Sequence, residues 1–296
     1  MLQEKALIVW LVTDGKKGHE KQLRGILSGL ERQILVSSYW IKQGKMPDKE
    51  CDKPDLIFCA GHSTHFKALF LRWLFGGKLL VLMKPSLPIS WFDGCIIPEH
   101  DEPKDSPYVF KSIGPLNELL PGTKDECLPT LVLLGGGSKG FVWDERSLVN
   151  TLEKLVLDLN QSVWIVGSRR TPDSTINLLR KTFSSLNVKP FIFGANDLEI
   201  DWLTSTLPKL SNVWVTQDSA NMIYEALSVG ACVGVISLKP KSYSRIYEGS
   251  LELIRRRWVS VYDGENKVLP CDELNLPVLR ESDRAATWVL KTFQNH

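Results

Sequence analysis

No C-x-x-C pair occurs among the six cysteines of this 296-residue chain, and no G-x-x-x-x-G-K-[ST] loop occurs anywhere in it. The first absence removes zinc-ribbon and thioredoxin-like readings. The second removes ATP hydrolysis by a P-loop. No stretch approaches the roughly 20 consecutive apolar residues that a membrane-spanning helix needs. Charge of one sign is scarce too: the net value of +2 gives no argument for a nucleic-acid partner, and none is expected. The opening residues, MLQEKALIVW, carry an acidic residue and run straight into a strand pattern, unlike a secretion signal. Cys59, Cys95 and Cys232 sit inside apolar runs, as buried thiols do, so a reducing, cytoplasmic setting is expected.

What is present is globular: 43% hydrophobic and 24% charged residues exclude disorder. Short apolar runs alternate with helix-length segments, which is the rhythm of parallel α/β units. Strands are expected at 6–13, 34–39, 55–60, 79–83, 94–97 and 108–112, then at 130–135, 162–167, 190–193, 213–216, 232–236 and 259–262. Helices are expected at 18–30, 63–75, 146–159, 173–185, 219–229, 244–256 and 282–294. Residues 115–129, PLNELLPGTKDECLP, hold three prolines and no apolar rhythm, and read as an interdomain linker. The expected organisation is an N-terminal Rossmann-like domain at 1–120, a second at 121–281, and a final helix at 282–296 packing back on the first. Ligands of open α/β sheets sit beyond the carboxyl ends of the strands. Two such domains would therefore face a cleft lined by the loops after 6–13, 55–60, 130–135, 162–167 and 213–216.

Those loops carry the unusual residues. TDGKKGHEKQ follows the first strand with Asp14, Gly15, Gly18 and His19. A simple turn has no need of two glycines, two lysines and a histidine together. Gly135-Gly136-Gly137-Ser138-Lys139-Gly140 follows the strand at 130–135; its amides can point at one anion, with Lys139 adding charge, or it can be a flexible turn. It is read as unlike the nicotinamide dinucleotide fingerprint. Ser168-Arg169-Arg170-Thr171-Pro172 offers forked donors for phosphate oxygens, or a solvated turn. In Asp218-Ser219 followed by a helix, either residue can cap, and the free amides can meet a pyrophosphate. Ser219, Met222 and Glu225 recur along one helical face. Glu225 falls among apolar residues and needs a partner, which could be two ribose hydroxyls or a nearby Arg or Lys.

Gly61-His62-Ser63-Thr64-His65 follows another strand, with Ser63 placed to cap the next helix. His62 and His65 have no third ligand at helical spacing, so no metal is expected. His100-Asp101 reads as an ordinary loop. The helix THFKALFLRWLF mixes Phe66, Phe70, Trp73 and Phe75 with Lys67 and Arg72, and Lys78 follows; it would suit an anionic membrane surface or a half-buried helix. Arg255-Arg256-Arg257-Trp258 is a second basic-aromatic cluster with the same two readings.

TDGKKGHEKQ, AGHSTHF, LMKPSLPISWFDGCIIPEHD, GGGSKGFVW, SRRTP and VTQDSANMIYEALSVG, in that order, resemble the mitochondrial-fission "elongate mitochondria"-like family. Its bacterial members are predicted glycosyltransferases, some labelled nucleoside-diphosphate-sugar epimerases. The family looks like the GT-B superfamily, whose well-understood analogue is the lipid-linked N-acetylglucosaminyltransferase of peptidoglycan synthesis. The resemblance implies a His19 base in a glycine-containing first loop, with Lys17 where that pattern has a glycine. It implies a donor loop at Gly135–Ser138, and a donor helix from Asp218-Ser219 to Glu225 with Glu225 on the ribose.

The expectation is transfer from a nucleotide-sugar donor to a glycan or lipid-linked acceptor, with no cofactor or metal. The diphosphate would meet Gly136, Gly137, Ser138, Arg169 and the helix start at Ser219. His19 would take the acceptor proton with Asp14 orienting it, and Gly15, Gly18, Gly61, His62 and Ser63 would line the acceptor side. The plant branch of the family implies the rival, a scaffold that binds a partner or membrane without chemistry. An NAD-holding epimerase is set aside, because none of the six tyrosines has Lys four residues on.

Overall fold

The computed structural model describes residues 6–184, 190–199, 201–242, 244–265 and 271–293. Residue 185 of the fourth expected helix, and residues 294–296 of the last expected segment, lie outside the described residues. The chain forms two units, Met1–Glu118 with Arg280–His296, and Leu119–Leu279. Each is built on a six-stranded parallel sheet, so the α/β expectation holds.

In the first unit the elements are β1 (Leu7–Thr13), α1 (Lys17–Glu31), β2 (Val36–Lys42), β3 (Leu56–Ala60), α2 (His65–Phe75), β4 (Lys78–Leu82), β5 (Gly94–Pro98) and β6 (Val109–Ser112). Side chains of β1 alternate between the two faces. Val9 and Leu11 join the cluster with Leu23, Ile26 and Leu30 of α1, while Ile8, Trp10 and Val12 join the cluster with Ala68 and Leu71 of α2. Burial on both faces explains why β3 reads as the unbroken apolar run LIFCA. Helix α1 presents Leu23, Ile26, Leu27 and Leu30, the i, i+3, i+4, i+7 stripe. Strand β2 begins two residues later than expected and ends three later. The amides of Gln33 and Ile34 turn back to the Leu30 carbonyl, and the strand then pairs with β1 as far as Thr13↔Lys42.

The second unit runs β7 (Thr130–Leu134), α3 (Glu145–Leu159), β8 (Val163–Gly167), α4 (Asp173–Ser184), β9 (Phe191–Phe193), α5 (Trp202–Thr206), β10 (Asn212–Thr216), α6 (Ala220–Ser228), β11 (Cys232–Ile236), α7 (Arg245–Arg255) and β12 (Ser260–Tyr262). Helix α5 was not expected; five residues are too few to show a helical period. The last helix, α8 (Glu281–Phe293), lies against α1 in the first unit. Small residues permit the close approach: a Cβ on Gly29 would fall on the Ser282 backbone, and Ala285 and Ala286 are fully buried. Arg32 pairs with Asp283, and the amide of Ile113 donates to Glu281 Oε2 at 2.7 Å.

Strand order positions the chemistry. The first sheet runs β2-β1-β3-β4-β5-β6, and the second β12-β11-β10-β7-β8-β9. In the first, the chain leaves β1 toward β2 on one side and resumes with β3 on the other. In the second, β7 leads toward β8 on one side and β10 resumes on the other. Each is a topological switch point, where diverging loops open a crevice beyond the strand ends. Among the described residues no helix is long and apolar enough to cross a membrane.

Candidate functional site

At the first switch point, the loop after β1 brings Asp14 to His19 in the first turn of α1. His19 Nδ1 lies 2.9 Å from Asp14 Oδ1. The Asp14 side chain is 4% exposed and the His19 side chain 22%. Burial works against the charged carboxyl, but the His19 hydrogen bond, the Lys16 amide and the charges of His19 and Lys16 outweigh it and hold Asp14 below the usual carboxylate range. An ionised carboxylate can only accept, so His19 donates from Nδ1, and in the neutral imidazole the lone pair is then on Nε2. Thr13 Oγ1 bonds both the Gly15 amide, at 2.9 Å, and Glu20 Oε1, at 3.1 Å, which fixes the loop's exit angle.

Gly61, after β3, closes over this pair. Its φ is +95°, and a Cβ there would stand 2.5 Å from His19 Nδ1 and 2.9 Å from Asp14 Oδ2. Only glycine fits. Gly15 takes a φ of +79° in open space, and Gly18 lies inside α1. Ser63 does not cap α2 as expected: it lies in the 3-10 turn His62–Thr64, and its hydroxyl sits 3.5 Å from Asp14 Oδ2. His62 is exposed, whereas His65 is buried with Nδ1 3.3 Å from Ser86 Oγ. Burial and the neighbouring His62 push His65 below its ordinary value. Among the described residues, no three His, Cys, Asp or Glu side chains converge as a metal site would require.

At the second switch point, three loops meet over a single carboxylate. The Asp218 side chain is fully buried. Its Oδ2 accepts from the Gly136 amide at 3.1 Å and the Ser219 hydroxyl at 3.3 Å, and pairs with Arg170 Nη1 at 2.9 Å. Its Oδ1 accepts from Thr216 Oγ1 at 2.8 Å. The Gly135 amide donates to Thr216 Oγ1 at 2.7 Å, and Ser168 Oγ donates to the Gly135 carbonyl at 2.8 Å. A Cβ on Gly136 would fall 1.9 Å from the Arg170 carbonyl oxygen. These glycines therefore serve close packing against the protein's own groups. This corrects the expectation that the Gly136 amide faces a diphosphate: Asp218 already holds it.

The unengaged donors lie one residue further on. Among the described residues, the amides of Gly137, Ser138 and Lys139 donate to nothing, and Gly137 faces open space. Lys139 is exposed. The far end of the loop is pinned by Lys241, whose Nζ donates to the Ser138 carbonyl at 2.9 Å. Gly135, Gly137 and Gly140 do stand at G-x-G-x-x-G spacing, which corrects the reading of this loop on spacing. Helix α3, however, starts only at Glu145, so no helix end stands directly behind those glycines as it does in the dinucleotide fingerprint.

Ser219 occupies the N-cap position of α6, but no side chain caps that helix. Its hydroxyl is engaged instead by Arg170 Nη2, at 2.7 Å. The first amides of α6 are thus left without a side-chain cap, at the positive end of the helix. Met222 is half-buried and Glu225 buried on this helix, and Glu225 engages other groups of the protein. Arg169 is exposed and bonds to nothing among the described residues. Sequence reasoning named Arg170 only as part of the SRRTP turn, giving the diphosphate to Arg169, and assigned no role to Thr216 or Lys241. The SRRTP turn gives no sign of which arginine folds inward, and Lys241 lies in an unremarkable loop.

The family model described as "Mitochondrial fission ELM1" matches residues 17–293. RP120 of Rickettsia prowazekii (strain Madrid E), described as an uncharacterized protein, is 24% identical, covering 75% of this chain and 81% of its own. Among solved structures, a putative UDP-N-acetylglucosamine 2-epimerase from Listeria monocytogenes superposes with TM-score 0.60 at 11% identity, covering 99% of this chain and 98% of that one. The UDP co-structure of S. aureus MnaA gives 0.56 at 13%, covering 98% and 97%. MurG of Acinetobacter baumannii gives 0.53 at 10%, covering 98% and 100%. At such identities the likeness establishes the fold, two Rossmann-like units of GT-B type.

Proposed function

The chain belongs to the mitochondrial fission ELM1 family, and from that membership and its GT-B fold we propose that it transfers a sugar from a nucleotide-diphosphate donor to a glycan or lipid-linked hydroxyl acceptor. The observation that carries the reading is the corner at the second switch point. There Gly135 and Gly136 pack on Asp218 and Ser219 at the uncapped start of α6, and the next amides of the same loop, those of Gly137, Ser138 and Lys139, are unengaged among the described residues. Oriented N–H dipoles of this kind stabilise negative charge as it grows on a departing diphosphate, with no reorganisation at the moment of reaction. The diphosphate would take these amides, with the ribose toward Glu225. The His19–Asp14 pair in the first unit would supply the base, with Gly15, Gly18, His62 and Ser63 around the acceptor. The donor is a substrate, and the chemistry assigned to these residues asks for no metal.

Nucleotide binding is the test. The S. aureus neighbour is a co-structure with UDP, so UDP leads a screen with GDP, ADP and CMP. A ligand at 100 times its Kd should stabilise the fold by about 2.7 kcal/mol, visible as a raised thermal midpoint. Stabilisation by none of the four at millimolar concentration would remove the donor site. Incubation with a UDP-sugar and no acceptor adds a second check. Conversion of the sugar to an epimer under those conditions would replace transfer by epimerisation, the activity after which the L. monocytogenes neighbour is named.

A second reading, membrane attachment, is favoured by one observation. Phe66, Phe70, Trp73 and Leu74 form an exposed stripe on α2, with Trp73 78% exposed. The basic residues expected beside it are engaged: Lys67 Nζ holds the carbonyls of Lys42 and Lys45, and Arg72 pairs with Asp93 at 3.0 Å. Attachment through this stripe would therefore be apolar rather than electrostatic. The protein should sediment with zwitterionic phosphatidylcholine vesicles, and a Phe70→Ser, Trp73→Ser pair should weaken this at least tenfold, since each side chain forfeits roughly 1.5–3 kcal/mol of burial. Sedimentation that depends on anionic lipid, or ignores the substitutions, would end this reading.

A further inference from the structure

We propose that Arg170, and not its neighbour Arg169, is the cation that meets the donor diphosphate, and that Asp218 is the positioning residue that holds it there. The inference rests on the nucleotide-diphosphate reading of the same corner and names the residues that set its affinity.

Two edges of the Arg170 guanidinium are fixed. Nη1 lies 2.9 Å from Asp218 Oδ2, and Nη2 donates to Ser219 Oγ at 2.7 Å. The backbone is anchored as well: the Arg170 amide donates to Ser168 Oγ at 3.2 Å, and its carbonyl packs against Gly136. A guanidinium carries five N–H groups. Asp218 and Ser219 account for two, and the side chain remains 45% exposed. Its remaining N–H groups thus stand preorganised at the start of α6, on a residue packed against Gly136, whose loop continues into the free amides of Gly137–Lys139. Planar forked donors of this kind match phosphate oxygens, and a group already held loses less freedom when the ligand arrives. Arg169 has no such support.

Asp218 is an odd neighbour for an anion site if only charge matters. A buried carboxylate a few ångströms from a diphosphate repels it, so Coulomb's law alone says that Asp218→Asn tightens anion binding. Positioning says the reverse: losing the charge-assisted bond frees the guanidinium, and binding weakens. The sign of this one effect separates the two accounts.

The experiment is calorimetric titration of the whole chain with inorganic pyrophosphate. Arg170→Ala should weaken binding about 10- to 100-fold, the range of one or two hydrogen bonds to a charged group. Arg170→Lys should recover part of the loss, keeping the charge but not the fork. Asp218→Asn should weaken binding, and Arg180→Ala, which removes an equal charge from the exposed pair with Asp197, should leave it unchanged. Arg170→Ala within twofold of the unaltered protein, tighter binding by Asp218→Asn, or no binding of pyrophosphate by the unaltered chain each overturns the proposal. Because Arg170 is half-exposed, its variants report even if Asp218→Asn fails to fold. Nucleoside diphosphates in the same series separate this inference from the reading beneath it. Nucleotides that bind regardless of Arg170 sink only the inference. Pyrophosphate that binds through Arg170, with no nucleotide able to displace it, sinks only the nucleotide.

Discussion

Replacing His19 by alanine is expected to lower the rate of sugar transfer about 10²–10⁴-fold, the contribution of a positioned general base, while donor affinity stays unchanged. The expectation follows from the pairing with Asp14. The carboxyl is held below its usual range, so it is ionised near neutrality and accepts the Nδ1 proton across 2.9 Å. That leaves Nε2 as the basic atom. Asp14→Asn should cost a comparable factor by a different route: an amide can donate to Nδ1, which places the proton on Nε2 and removes the base. Single-turnover rates at saturating donor separate these effects from binding. A His19→Ala enzyme within threefold of the original would take the base role from this residue.

The second large effect separates two adjacent glycines. Gly136→Ala should destabilise the second unit by about 3 kcal/mol, the upper end of what overpacking a tight site costs, and should abolish nucleotide stabilisation. The added Cβ falls 1.9 Å from the carbonyl oxygen of Arg170 and 2.2 Å from its carbonyl carbon. Both are backbone atoms, so no rotamer change relieves the contact. The loops after β7 and β8 must part. The Ser168 and Thr171 hydroxyls that tie those loops through the Gly135 carbonyl lose their geometry with them. Gly137→Ala meets nothing within 4 Å and should change stability by less than about 0.5 kcal/mol, as surface substitutions do. Urea unfolding of the two variants is the measurement. Equal losses at 136 and 137 would show that the packing described for this corner does not govern stability.

The two sites differed in how far the sequence exposed them. His19 could be singled out because its loop holds more glycine and charge than a turn requires, and Asp14 stands five residues away in the same loop. The second site was legible as a place but not as an arrangement. GGGSKG announced a loop whose amides could point at one anion. The anion that takes the Gly136 amide is Asp218, 82 residues further along the chain. Arg170 was passed over for Arg169 because neighbours in a turn differ in direction, not in chemistry. Gly61 was expected only to line the acceptor side, whereas its lack of a side chain is what admits the His19–Asp14 pair.

The sequence by itself determined the elements, since a buried parallel strand and an amphipathic helix each write their period into neighbouring residues. It determined as well that glycine-rich turns follow the first strand of each half. Only the tertiary structure decided the strand orders β2-β1-β3 and β10-β7-β8, and with them the switch points at which these turns lie. It also decided which donors face outward and which bond inward. The physical reason is separation along the chain. Thr216 meets Gly135 across 81 residues, and Asp14 lies beside Ser63 across 49. No local pattern encodes such partners; crossovers bring them together, and packing then selects which atoms touch.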